Sequence, residues 1–106
     1  MATYTMKFMY DWGSGVCLWS TNQASKAKFN NYPIFTSQLP VSNDLKEKLE
    51  HLIEWHDEAL NWEEPNSDLL WNEKQIDEFL NVSKKTFFRL CEELGFDYEI
   101  EFIEGI

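Results

Sequence analysis

Two histidines, two cysteines and a surplus of carboxylates are the groups in this 106-residue chain whose chemistry would matter most. His51 and His56 stand five apart, on different faces of a helix, so they do not chelate one metal as an i, i+4 pair does. His56 beside Asp57 suggests an acid and base couple, yet sequence neighbours on a helix point about a hundred degrees apart. A half-buried, satisfied histidine is the plainer reading. Cys17 with a histidine would make a thiol nucleophile, but no oxyanion donor or third residue accompanies it, and surrounding acids raise a thiol pKa. Asp97, Glu99 and Glu101 alternate as on a strand, which strings them about 7 Å apart instead of wrapping them round a calcium ion. Gly13-Ser14-Gly15 lacks the lysine and the helix start of a phosphate loop and reads as a turn. With no reagent set in view, the expectation is a protein that is not an enzyme and holds no cofactor or metal; His56 or Cys17 would carry the chemistry of an enzymatic alternative.

Charge is the stronger signal. The net charge is −10, but residues 1–43 sum to +2 and residues 44–68 to −7, with the remaining −5 beyond them. Nucleic-acid and anionic-membrane binders present basic stripes, so neither partner is expected. The same field would speed encounter with a basic protein. The plainer account is that the acids keep a tryptophan-rich domain soluble. Trp12, Trp19, Trp55, Trp62 and Trp71 are too many for one small core to hide completely. Core filling is expected of Trp19 and Trp55, whereas Trp12 at a turn and Trp62 beyond a helix end are candidate anchors for a partner.

The elements that must position these groups are legible from periodicity. Ile76, Phe79, Leu80, Ser83, Phe87, Leu90, Cys91 and Leu94 recur at steps of three and four, predicting one face of a helix that Asn72 and Gln75 cap and Gly95 ends. Phe96, Tyr98, Ile100 and Phe102 then alternate with acids, predicting a strand over 96–103. Alternation over 3–10 predicts a first strand, and the glycine turn folds 16–19 back on it as a hairpin. A short helix is expected over 22–29, and 34–39, fenced by Pro33 and Pro40, reads as an edge segment or a loop. Ser42 caps a long helix that Leu45, Leu49, Leu52, Ile53 and His56 carry to about Leu60, with Glu47, Glu50, Glu54, Asp57 and Glu58 opposite. Residues 1–106 are therefore expected to form a single α+β domain, a small mostly antiparallel sheet of an N-terminal hairpin plus a C-terminal strand, packed against two long helices. No apolar run is long enough to cross a bilayer and no secretion signal opens the chain, so a cytoplasmic protein with reduced Cys17 and Cys91 is expected.

The segments Tyr10-Asp11-Trp12-Gly13-Ser14-Gly15-Val16-Cys17-Leu18-Trp19, Leu39-Pro40-Val41-Ser42 and Asp57-Glu58-Ala59-Leu60-Asn61-Trp62 resemble those of a family of small, acidic bacterial proteins. That family includes immunity proteins encoded beside contact-dependent growth inhibition and other polymorphic toxins. The chain departs from the pattern at Asp68 to Trp71, where a proline-rich stretch would precede the tryptophan. What the resemblance implies is a cytosolic inhibitor of one cognate toxin domain, often a basic nuclease. The expected function is thus an immunity protein that blocks the toxin's active site or substrate surface. Glu54, Asp57, Glu58, Glu63 and Glu64 would capture charge, with Trp12 and Trp62 as anchors. An acidic adaptor or regulatory protein with another cytosolic partner is the alternative.

Overall fold

Amino-terminal alternation produces a strand, β1, over Tyr4–Phe8, with Met6 and Phe8 buried. The chain returns as β2, Leu18–Ser20, antiparallel to β1 with Phe8 opposite Leu18. The computed structural model that establishes this describes residues 2–106. The Gly13-Ser14-Gly15 turn sits in a longer connection than a tight hairpin, and Val16 and Cys17, predicted to begin the second strand, are buried within that connection.

Asn22 caps a short helix, α1 (Gln23–Phe29), by accepting from the Ser25 amide, and Asn30 ends it at φ 60°. Pro33–Ile34 then forms β3, antiparallel to β2, and one 3-10 turn follows over Thr36–Gln38. The stretch between the two prolines is therefore first sheet edge and then turn. Ser42 accepts from the Leu45 amide to open α2 (Asn43–Asp57), which stops short of the Leu60 that its periodicity predicts. Asn72 and Gln75 exchange two hydrogen bonds to open α3 (Glu73–Leu94), and Gly95 leaves it at φ 80°.

Helix α3 runs back along α2. Its start packs Phe79 against Trp55 and Trp71, while near its end Arg89 and Glu93 reach Asp44 and Ser42 at the start of α2. This direction delivers the last strand, β4 (Tyr98–Phe102), to the beginning of β1. The two then run parallel, Tyr4 opposite Tyr98 and Phe8 opposite Phe102. The sheet order is β3-β2-β1-β4, two antiparallel ladders and one parallel, so the expected α+β architecture of sheet and long helices is what the chain forms.

Of the predicted core face of α3, Phe79, Ser83, Leu90 and Leu94 are buried and the others half-buried. Phe96 departs from prediction: it lies before β4 and is 93% exposed. Lys7 and Glu101 are opposite one another, as neighbouring terminal strands require, but the lysine ammonium stands 5.6 Å from the Tyr32 ring centre. Phe79 touches Tyr10, Trp55, His56 and Trp71 with no exposed surface, so it is the hub that joins both long helices to the end of β1. Phe79→Ala should lower unfolding free energy by about 3–5 kcal/mol, measured by urea denaturation.

Candidate functional site

A helix leaves its last carbonyls without intrahelical partners. In α2 two indoles add donors to the last carbonyls, beside the turn amides of Ala59 and Leu60. Trp12 Nε1 donates to the carbonyl of His56 at 3.0 Å, and Trp62 Nε1 donates to that of Asp57 at 2.8 Å. The Ala59 amide also donates to His56 O, and the Glu58 amide to Trp55 O, which turns the chain out of the helix. The early stop of α2 thus coincides with the turn at Glu58 and with indoles brought in from the loops after β1 and after α2.

The turn that carries Trp12 is fastened to the same place. The Gly13 amide donates to Asp57 Oδ1 at 3.3 Å, and Ser14 Oγ donates to the Asp11 carbonyl at 2.7 Å. Gly13 has φ 81°, and a side chain there would begin 3.6 Å from Trp62 Cη2. Glycine is needed for that backbone, while a Cβ there would make only an ordinary van der Waals contact with the indole. Asn61 Oδ1 accepts from the amides of Glu63 and Glu64, and the Leu70 amide donates to the Ala59 carbonyl, so the loop beyond α2 is also tied down.

The turn and the helix end therefore bring Trp12, Asp57 and Trp62 together, with Glu54, Glu58, Glu63 and Glu64 exposed on α2 and the loop around them. Trp62 is 54% exposed, whereas Trp12 is half-buried because its ring stacks on His56. Among the described residues, Asp44 is the one acid of the 44–68 segment that forms an ion pair, with Arg89 at 2.7 Å and Lys48 at 4.0 Å. Trp19 is buried and Trp55 half-buried against Phe79. Open grooves of about 410 and 390 Å³ also run beside α2, both lined by Glu47 and His51. Neither His56 nor Cys17 lines them.

His56 is only 1% exposed, lies between Trp12 and Tyr10 with ring centres 4.5 and 4.7 Å away, and leaves Nε2 without a hydrogen-bond partner among the described residues. Burial holds its pKa down to about 4, against the opposing pull of the Asp57 and Asp11 carboxylates. It is a neutral packing group. Burial likewise pushes the Cys17 thiol up to about 12, with Glu50 adding to the effect. Both cysteines are free. Sequence reading missed the pairing of Gly13 with Asp57 and Trp62. The Gly-Ser-Gly run marked a turn, and nothing in its spacing named what it packs on.

A family model described as Serratia CdiI immunity protein-like matches residues 4–105. No curated protein matches the chain.

The buried imidazole makes stability depend on pH. Between pH 6.5 and about 4 the unfolded chain holds a proton on His56 that the folded chain does not, so stability falls as pH falls through this interval. The urea midpoint should be lower at pH 5 than at pH 7, and His56→Phe should flatten that difference.

Proposed function

The chain belongs to this immunity protein family, and we propose that it acts in the cytosol as a non-enzymatic inhibitor whose acidic face, at the carboxyl end of α2, binds a basic cognate toxin domain. The observation that supports the site is the set of carboxylates from Glu47 to Asp68 with no ion-pair partner among the described residues, grouped around an indole that is 54% exposed. Charged groups held near one another repel, and a partner that supplies lysine or arginine relieves that repulsion on binding.

The roles follow from geometry. Glu54, Glu58, Glu63 and Glu64 supply attraction from the surface, and Asp57 adds charge while holding the Gly13 amide. Trp62 offers a ring whose N–H is already used, so its exposed surface is apolar contact area. Trp12 is half-buried, its ring stacked on His56. A nuclease is the toxin chemistry that fits best, since a surface built to hold phosphates would meet carboxylates in their place. Occlusion of that surface is the proposed mode of inhibition.

The test uses the toxin domain encoded beside this gene. Reversing Glu54, Glu58, Glu63 and Glu64 to Lys, with Asp57→Asn to keep the Gly13 acceptor, should weaken binding about 100-fold or more. Trp62→Ala should weaken it about tenfold or more. Both variants should keep the wild-type circular dichroism, and the reversed one should no longer protect cells. Unchanged affinity in both variants would place the interface elsewhere.

A further inference from the structure

The sheet ends in an uncovered strand. In the order β3-β2-β1-β4, β4 has a neighbour on one side only among the described residues. Its ladder to β1 is framed by Tyr4 N–H to the Asp97 carbonyl at 2.9 Å and Ile103 N–H to the Phe8 carbonyl at 3.0 Å. In a parallel ladder, alternate residues of a strand bond to opposite sides. This frame turns Glu99 and Glu101 backbone toward β1 and leaves Ile100 and Phe102 with N–H and C=O on the open side. A five-residue edge with free main-chain groups is a template for another strand.

The side chains select what fits. Tyr98, Ile100 and Phe102 are only half-buried, and Glu99 and Glu101 are exposed on the other face. A second copy pairing antiparallel about Ile100 would set Glu99 opposite Glu101 twice over, four carboxylates on one face, which like-charge repulsion disfavours. A strand with basic residues at alternate positions and apolar ones between them meets both rows. Neither glutamate forms an ion pair among the described residues, and the lysine opposite Glu101 is directed over Tyr32. Phe96, 93% exposed, lies just before the strand and adds apolar surface at its start.

We infer that β4 extends its sheet with a strand of the partner protein that alternates basic and apolar residues. This rests on the toxin-binding reading and adds to it a second contact region with main-chain recognition.

The probe is the toxin domain encoded beside this gene, added to the ¹⁵N-labelled full chain. In the complex the Ile100 and Phe102 amides should exchange with solvent about tenfold more slowly or better than in the free protein. The Glu99→Lys/Glu101→Lys variant should bind about tenfold or more weakly with an unchanged thermal midpoint. Ile100→Pro removes a donor on the open side without removing one from the β1 ladder and should weaken binding similarly. Binding by the wild-type chain with unprotected Ile100 and Phe102 amides overturns this inference and leaves the acidic-face reading standing. Absence of binding overturns both. Protection that rises with concentration in the free protein would assign the edge to a second copy and overturn it too.

Discussion

Two indole N–H groups on the final carbonyls of α2 are the contacts on which the arrangement of this molecule depends. A helix end facing solvent has water as an alternative partner, so the net gain per bond is modest. Its consequence here is positional. Trp12 comes from the turn after β1 and Trp62 from the loop after α2, and both converge on carbonyls one residue apart, His56 and Asp57. The sheet, the helix and the acidic loop are joined at that point. The imidazole of His56 completes the joint by filling the space between Trp12 and Tyr10, which it does best uncharged.

The electrostatic result is additive. The carboxyl end of a helix carries a partial negative charge of about half an elementary unit, which a cation in the last turn normally offsets. The basic residue available in the last turn of α2 is His56, and burial keeps it neutral. Glu54, Asp57 and Glu58 then add full charges to the same pole, with Glu63 and Glu64 tied nearby through Asn61. At the opposite end of α2 the pattern reverses. Asp44 suits the positive pole, and Arg89 bonds it together with Glu93 while Glu93 accepts from Ser42. The lone arginine of the chain thus supports packing at one end of the helix, while the other end keeps its charge uncompensated.

Much of this was legible in residue order, and what was not has a physical reason. Caps are local, so Ser42, Asn72 with Gln75, and Gly95 could be read directly and the helices start and stop near them. Periodicity failed where tertiary contacts override it. Leu60 fits the stripe of α2, but the indole bonds and the turn at Glu58 end the helix at Asp57. Phe96 fits the alternation of β4, yet the chain leaving Gly95 is still turning there, with the Tyr98 amide bonded to the Gly95 carbonyl. For the candidate surface, exposure of Trp62 and its neighbouring acids followed from their place beyond a helix. The half-burial of Trp12 did not, because its cover is an imidazole 44 positions away. Strand direction was equally hidden, being set by which way α3 returns.

The parallel pairing of β1 and β4 also decides how the negative groups are distributed. Because α3 runs antiparallel to α2, β4 enters beside Tyr4 and leaves beside Phe8, the end from which β1 continues toward Trp12. An antiparallel β4 would place its exit at the far end of the sheet. As built, acids on the outer face of β4 and acids at the end of α2 lie on separate elements, and among the described residues Glu99, Glu101, Glu54, Asp57, Glu58, Glu63 and Glu64 form no ion pair. Two of the three lysines of the amino-terminal part lie over aromatic rings, Lys7 over Tyr32 and Lys28 over Tyr4. Cation and ring attract without drawing the carboxylates inward. Lys7 and Lys28 are thus held by aromatic faces while the acids of β4 and of the carboxyl end of α2 keep their charge outward, which is the condition for a surface whose charge acts on something other than itself.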